Sequence, residues 1–354
     1  MKTSTKNMFS AELIVTLVHK HFPNAEITEI RELKGGTFNT VYLIEGSKSL
    51  SKGLILKTGP NASAQVTEHE KDILRTEVYV YKLLEDVQIP VPKVYAHDFS
   101  RAEVPCDYFF MEQVVGTVWF EHWTIKQPTL MRELGQYTAA LHSVKGDWFG
   151  YINDDENGRF NTWGKAFTAM MNSALTDAEQ QGIRLPHTEI RRAVYSRMEI
   201  LDAVHTPSLV NFDMWAGNIF LVKKKRFHIS GVIDFERSFF GDPLASFSSA
   251  LMLYEDVEKE PDFISGYSEI SGKPLVINNN DRAKIALYQI LMYVRSICET
   301  HRYGFVMRLS QRWYCYYAIK SLLRKLSRVP LQEDKNTIPQ YIIDTKLNKK
   351  ERNL

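Results

Sequence analysis

The sequence predicts an α+β fold of two lobes, a small antiparallel sheet followed by a mainly helical body. Three observations predict it. Residues 27–58 form short β-type runs separated by turn residues, whereas after Gly116 the apolar positions recur at intervals of three and four. The length of 354 residues, against roughly 150 per domain, leaves room for two such bodies. The predicted division is 1–114 for the first lobe and 115–354 for the second.

In chain order, MKTSTKNMFSAELIVTLVHKHF reads as a short amphipathic helix. Glu12, Thr16, His19 and Lys20 interrupt its apolar residues, so it lacks the continuous stretch of a secretory signal. TEIRELK, NTVYLIEG and GLILKTG then read as a three-strand antiparallel meander, broken at Gly35-Gly36 and at Ser47–Lys52. Ile73, Leu74, Val78, Tyr81 and Leu84 mark a helix over 67–87, ending before IPVPKV. DYFFMEQVVG is short, aromatic and β-branched, which predicts a strand running into a connector at Gly116.

The second lobe opens with a helix through Leu130, Leu134, Tyr137 and Leu141. A helical stretch from Trp163 to about His205 follows, with breaks near Gly182 and Pro186. NIFLV and GVIDF read as paired strands around a turn at Lys223–Arg226. Helices are expected at 244–254, 281–301 and 309–327, with a loop at 271–280.

Composition excludes several classes. At 44% hydrophobic and 24% charged residues, the chain is neither collagen-like, disordered nor membrane-embedded, and no apolar run approaches the ~18 residues of a membrane span. Cys106, Cys298 and Cys315 form no C-x-x-C pair, which argues against a disulfide framework or a zinc site and predicts a reducing cytoplasm. The net charge of +2 is uneven: residues 301–354 hold 12 Lys/Arg against 4 Asp/Glu. That end, with Lys346, Lys349, Lys350 and Arg352, could touch nucleic acid or anionic lipid but reads first as a solvated terminus. Trp313, Tyr314, Tyr316 and Tyr317 read as core of the last helix, so neither a nucleic acid nor a membrane is expected as partner; the chain is expected as a monomer or homodimer. His69, His97, His122, His142, His187, His205, His228 and His301 show no metal spacing. G-x-S-x-G and G-x-x-x-x-G-K-[ST] are both missing, which removes the ordinary serine hydrolase and the P-loop kinase.

The segment that carries chemistry is Asn211-Phe212-Asp213-Met214-Trp215-Ala216-Gly217-Asn218, followed by Ile233-Asp234-Phe235-Glu236. An Asp, an Asn five residues later and a second Asp at the end of a paired strand suit phosphoryl transfer. Asp213 would accept the proton of an acceptor hydroxyl, and Asn218 with Asp234 would hold Mg²⁺ on the phosphates through hard oxygen ligands.

On these residues the chain resembles the aminoglycoside phosphotransferase family of the protein-kinase-like fold, whose relatives include hygromycin, choline, fructosamine and methylthioribose kinases. The family's H-G-D-x-x-x-x-N loop corresponds to N-F-D-M-W-A-G-N, its I-D-x-G/E motif to Ile233–Glu236, and its G-D-P to Gly241-Asp242-Pro243. The resemblance covers roughly 27–250 and is strongest over 209–245. Asn211 stands where the family has His, Phe212 where it has Gly, and Ser246 where relatives commonly have Asp.

The resemblance implies a two-lobed protein-kinase-like fold. It places Lys57 on the α- and β-phosphates, with Glu77 pairing its ammonium, and puts Gly35, Gly36, Thr37 and Asn39 in the turn that covers the phosphates. Glu112 and Val114 fall in the connector whose backbone reads the adenine edge, with Met111 packing against its face. Glu236 is implied as an aid to the metal, because relatives also show D-x-E. The implied activity is ATP-dependent transfer of the γ-phosphoryl group to a hydroxyl of a small molecule, an aminoglycoside or another amine-bearing alcohol, with Mg²⁺ and with GTP as a second candidate donor. Glu255, Asp256, Glu258, Glu260 and Asp262, opposed only by Lys259, read first as a solvated acidic loop beside Pro261 and second as a cluster giving a modest preference for a cationic acceptor. The rival reading is a catalytically silent pseudokinase that binds nucleotide or a partner, which Asn211 and Phe212 keep open. A protein kinase is disfavoured because no long activation segment separates Asp234 from Gly241.

Overall fold

The computed structural model describes residues 6–34, 38–47, 50, 52–61, 64, 66–122, 124–125, 127–152, 158–249 and 256–328. The chain forms two compact units, one drawn from residues 1–159 and 206–276, the other from 160–205 and 277–354. The 114/115 boundary expected from the sequence lies inside the first unit, where individual bonds cross it: the Val232 N–H donates to the Pro90 carbonyl at 2.7 Å and Lys57 pairs with Asp234 at 2.8 Å.

In the first unit, α1 (Ala11–His21) starts at Ser10, whose side chain accepts the Leu13 N–H at 3.3 Å and so satisfies one of the helix's open donors. The meander follows as β1 (Glu26–Leu33), β2 (Thr40–Ser47) and β3 (Leu54–Thr58), all antiparallel. Helix α2 (Ile73–Leu83) is shorter than the 67–87 read from the pattern. Asp72 takes a left-handed φ of 50° while its carboxylate meets Arg101, and that backbone turn stops the helix from extending backwards. β4 (Val94–Asp98) and β5 (Tyr108–Glu112) complete a sheet of order β1-β2-β3-β5-β4. β4 was missing from the sequence reading because it is an edge strand behind two prolines, with no fully buried position to give an apolar alternation.

The two faces of this sheet are sorted by the strand period of two. Leu54 and Leu56 of β3, with Tyr108 and Phe110 of β5, join Ile14, Leu17 and Val18 of α1 in one core. The alternate residues Lys57 and Phe109 therefore point to the other side, where Tyr81 of α2 lies 6.4 Å from the Phe109 ring centroid. A buried lysine is thus set opposite α2 by register alone.

The rest of this unit comprises β6 (Thr117–Val118), α3 (Pro128–Ser143), β7 (Gly150–Tyr151), β8 (Ser208–Val210), β9 (Ile219–Lys223), β10 (Phe227–Val232), β11 (Phe239–Gly241), α7 (Ser246–Ser249) and α8 (Pro261–Ser271). They form sheets of order β10-β9-β6 and β7-β11-β8. The connector after β5 is tied to the β9–β10 hairpin: the Ser230 hydroxyl donates to the Val115 carbonyl at 2.6 Å. A Cβ on Gly116, whose φ is +125°, would fall 2.3 Å from the Leu221 carbonyl oxygen. The helix expected over 244–254 is only the short α7 preceded by a single 3-10 turn at Pro243–Ala245; residues 250–255 lie outside the described residues. α8, absent from the sequence reading, starts at Pro261 and ends at Gly272 in a left-handed cap. It packs on α3 at backbone distance, because Gly135 approaches the Phe263 carbonyl and Gly266 the Arg132 carbonyl, each to within 2.1 Å of a would-be Cβ.

The second unit is helical: α4 (Trp163–Gln180), α5 (His187–Tyr195), α6 (Met198–Asp202), α9 (Asn279–Cys298) and α10 (Phe305–Ser327). Trp163 and Phe167 of α4 close on Tyr288 of α9, with the Trp163 indole N–H donating to the Tyr288 hydroxyl at 2.7 Å. Asn278 and Asp281 cap α9 reciprocally. One expectation fails here. Trp313, Tyr314, Tyr316 and Tyr317 of α10 are exposed, not core, because the helix buries its other side through Cys315, Ile319 and Leu326.

Candidate active site

The catalytic-loop segment follows β8. Phe212 is buried against Phe239 of β11, ring centroids 5.4 Å apart, and this anchors the loop by packing where a glycine was the family pattern. Asn211 is fully buried, and its side-chain oxygen accepts the Asp213 backbone N–H at 2.9 Å. The chain then curls about the Asp213 carbonyl, which accepts the Trp215 N–H at 3.1 Å and the Asn218 side-chain amide at 2.9 Å. Those bonds leave the Asp213 carboxylate partly exposed on the loop, with the guanidinium Nε of Arg237 at 3.8 Å.

Asn218 ends this loop and its carbonyl accepts the Ile233 N–H at 2.9 Å, which brings Asp234 beside it across the β9–β10 hairpin. Asp234 has a φ of +67°, a conformation that costs most side chains but that Asp tolerates better than β-branched residues. Its backbone N–H donates to the Tyr81 hydroxyl at 3.2 Å, and that hydroxyl donates onward to Glu77 at 3.1 Å. Tyr81 thus couples the strained turn at Asp234 to α2. Phe235 is fully buried against the same tyrosine, centroids 5.5 Å apart.

The three donors of the Lys57 ammonium meet three carboxylates: Glu77 at 2.6 Å, Asp234 at 2.8 Å and Glu236 at 3.1 Å. Lys57 and Glu77 are buried, as is Glu236. Burial alone would lower the lysine's pKa, but Asp234, Glu236 and Glu77 outweigh it and raise the pKa well above the ordinary value. Burial pushes the Glu77 carboxyl up to about 8 against the pull of Lys57. For Asp234 burial again acts upward, yet the Lys57 charge and hydrogen bond prevail and hold it below the usual range. Glu236 is raised by burial and by the neighbouring Asp234 charge. The Asn39 amide donates to Glu236 at 2.5 Å, so the residue at the end of the glycine-rich turn is pinned to the Ile233–Glu236 segment.

The structure therefore brings together Asn39, Lys57, Glu77, Asp234 and Glu236, and sets Asp213 and Asn218 on the adjoining loop. Gly35, Gly36 and Thr37 lie outside the described residues. Glu112 ends β5, where its N–H donates to the Lys93 carbonyl at 2.8 Å. Val114 lies over Gly231 of β10 so closely that a Cβ there would stand 2.3 Å from its methyl.

The donor set suits a hard divalent cation. Oxygens of Glu77, Asp234 and Glu236 lie within 4.8 Å of one another, and the Asn218 amide nitrogen is taken by Asp213, which leaves its oxygen for a ligand. Sequence reasoning did not find Tyr81, Arg237 or His142 as members of this region. Tyr81 looked like one apolar position of a helix; Arg237 had only its adjacency to Glu236 as a signal. Buried His142 bridges the Ser246 hydroxyl and the Tyr267 hydroxyl, 2.9 Å from each, which ties the residue behind G-D-P into α3 and α8. Burial pushes that imidazole down to about 3, and it stays neutral.

A five-stranded antiparallel sheet whose lysine pairs with a helix glutamate, beside a loop bearing Asp213 and Asn218 and a hairpin ending in Asp234, is the arrangement of the protein-kinase-like fold. The family model of the phosphotransferase enzymes, APH, matches residues 29–288, and the chain belongs to that family.

Solved structures show the same fold. An aminoglycoside phosphotransferase-like protein from Ralstonia eutropha superposes with a TM-score of 0.60 at 15% identity, covering 91% of this chain and 99% of that one. A thermostable variant of APH(4)-Ia, in ternary complex with AMP-PNP and hygromycin B, gives 0.61 at 12% identity, with 89% and 99% covered. The GDP complex of aminoglycoside 2'-phosphotransferase-IIIa gives 0.59 at 14%, with 90% and 99% covered. Among curated proteins, the chain is similar to acyl-CoA dehydrogenase family member 11 of Rattus norvegicus, 20% identical over 269 residues, which are 70% of this chain and 32% of that protein. It is also similar to the Arabidopsis thaliana protein IBR3, whose name likewise places it with the acyl-CoA dehydrogenases, at 24% over 273 residues, 72% and 31%. The chain spans about a third of the length of these curated relatives.

Proposed function

We propose that the chain transfers the γ-phosphoryl group of ATP to a hydroxyl of a small molecule. The observation that carries this reading is the convergence of Lys57 on Glu77, Asp234 and Glu236, next to a loop that presents Asp213. Lys57, held by Glu77, binds the α- and β-phosphates. Asp213 takes the proton of the acceptor hydroxyl as its oxygen bonds to phosphorus, and ADP leaves with the bridging oxygen. Arg237, with its Nε 3.8 Å from the Asp213 carboxylate, helps to orient that group. Asn218, Asp234 and Glu236 would hold Mg²⁺, which would supply neutralisation of charge on the phosphates.

A pseudokinase is the weaker reading, because Asn211 supplies the Asp213 backbone with a hydrogen bond and Phe212 is a packed anchor. GTP remains beside ATP as donor, since the fold neighbours include both an AMP-PNP and a GDP complex. The acceptor class is open to test. In the acidic run, Asp256 caps its own turn by accepting the Glu258 N–H at 3.1 Å and Asp262 sits in the first turn of α8, while Glu260 is buried and makes no side-chain cap bond to that helix, so Asp256 and Asp262 serve helix starts as well as any cationic ligand; Glu255 lies outside the described residues. An amine-bearing alcohol is the acceptor this run favours, whereas Arg237 favours an anionic one.

The experiment is release of ADP or GDP in the presence of cationic, neutral and anionic alcohols, with Asp234→Asn as control. Acceptor-dependent release that disappears in the control supports a phosphotransferase. Tight nucleotide binding without turnover across every acceptor class would establish the pseudokinase instead.

A further inference from the structure

Helix α10 is apolar on two sides, whereas a helix packed on a domain needs one apolar stripe. Its buried side is Cys315, Ile319 and Leu326, with Cys315 in a small core beside Ala178, Ile183, Ile297 and Cys298. At the helical repeat of ~3.6 residues per turn, the opposite side runs Val306, Leu309, Trp313, Tyr316 and Tyr317, and continues in the same line through Lys320 and Arg324. Val306 is 79% and Trp313 67% exposed, and Phe305 and Met307 widen the apolar end. The Trp313 and Tyr317 rings lie against each other, centroids 5.3 Å apart, so the aromatic ledge is already assembled.

Charge selects the occupant. Residues 305–327 contain Arg308, Arg312, Lys320, Arg324 and Lys325 and no Asp or Glu. Two copies of this face would bring like charges together, which disfavours self-docking. Nucleic acid would satisfy the cations and stack on the rings, but it gives Val306, Met307 and Leu309 nothing to bury against. Aliphatic and aromatic side chains at one end of a face, with lysine and arginine at the other and no acid between, match a bilayer interface with phosphate headgroups. Among the described residues no helix is long and apolar enough to cross a membrane, so α10 would lie on the surface.

We propose that the exposed face of α10, from Val306 to Arg324, docks the protein on an anionic lipid bilayer, with Trp313, Tyr316 and Tyr317 at the headgroup boundary and Lys320 and Arg324 on lipid phosphates.

The test is co-sedimentation of the full chain with phosphatidylcholine vesicles, with and without about 30% phosphatidylglycerol. Binding to the anionic vesicles should be at least about tenfold tighter, and salt should weaken it. Trp313→Ser with Tyr317→Ser, and separately Lys320→Glu with Arg324→Glu, should each lose that preference while keeping the parent's melting temperature, since all four side chains lie outside the core. Equal sedimentation with neutral and anionic vesicles overturns the proposal. So does sedimentation equilibrium in which the Trp313/Tyr317 variant turns a dimer into a monomer, because a second copy then covers the face. Tighter binding to a single-stranded oligonucleotide than to anionic vesicles overturns it too.

Discussion

Asn211 Oδ1 accepts the backbone N–H of Asp213 at 2.9 Å, from a side chain with no exposure to solvent. This bond fixes the direction in which the Asp213 carboxylate leaves the loop, so a residue that departs from the family's histidine still supports the residue proposed as base. Asn211→Leu strands the Asp213 donor in a buried place, at about 1–3 kcal/mol. We expect kcat to fall by roughly tenfold or more with the KM for ATP little changed. Steady-state kinetics check this; a Leu variant with the parent's kcat removes the role.

Asp213→Asn keeps the size and both backbone bonds of the loop but cannot take a proton. The expected loss in kcat is about 10²–10⁴, with nucleotide affinity by calorimetry close to the parent's. Near-parental turnover would falsify the assignment of Asp213 as base.

Lys57 pairs with three carboxylates at 2.6, 2.8 and 3.1 Å. Lys57→Met leaves them facing one another in a buried site, so it should destabilise the protein by about 3–5 kcal/mol as well as weaken nucleotide binding. Adding Glu77→Gln should recover part of the stability and none of the nucleotide affinity. Chemical denaturation of the single and double variants measures the first, and a double variant no more stable than the single contradicts the account.

His142 titrates at about 3 when folded against ~6.5 when unfolded. Between those values the unfolded chain binds more protons, so stability falls as the pH drops from ~6.5 toward ~3 and is complete above that window. The steepest slope this residue adds is about 1.4 kcal/mol per pH unit. Urea unfolding at neutral and mildly acidic pH should show a smaller pH dependence for His142→Gln than for the parent. An identical dependence in both would leave the acid sensitivity to other groups.

Gly135 and Gly266 let α3 and α8 approach to backbone distance. Gly135→Ala should push the helices apart and cost about 1–3 kcal/mol, seen as a lower melting temperature. An unchanged melting temperature shows that the helices shift without cost.

The meander was legible because Leu54 and Leu56, and Lys57 next after them, follow the strand period, and that period alone already puts Lys57 on the face away from α1. The loop from Asn211 to Asn218 and the run Ile233–Glu236 were legible for a similar reason: phosphoryl transfer demands particular oxygen-bearing side chains in a fixed chain order. β4 and α8 escaped, since an edge strand after Pro90 and Pro92 shows no buried alternation, and an acidic start at Glu260–Asp262 looks like a loop until its helix is packed on α3.

What the sequence determined by itself was thus local: periodicity, turn chemistry and the order of Lys57, Asp213, Asn218 and Asp234. The tertiary structure decided which of these groups meet. Only it places the Tyr81 hydroxyl between Glu77 and Asp234, the Arg237 guanidinium at Asp213, and Ser246 under His142. Only it turns Trp313 and Tyr317 outward, although a tally of apolar residues along α10 would bury them. A one-dimensional pattern reports what a side chain wants from its surroundings; hydrogen bonds and charge pairs between residues far apart in the chain depend on how the backbone returns, and that is settled by packing.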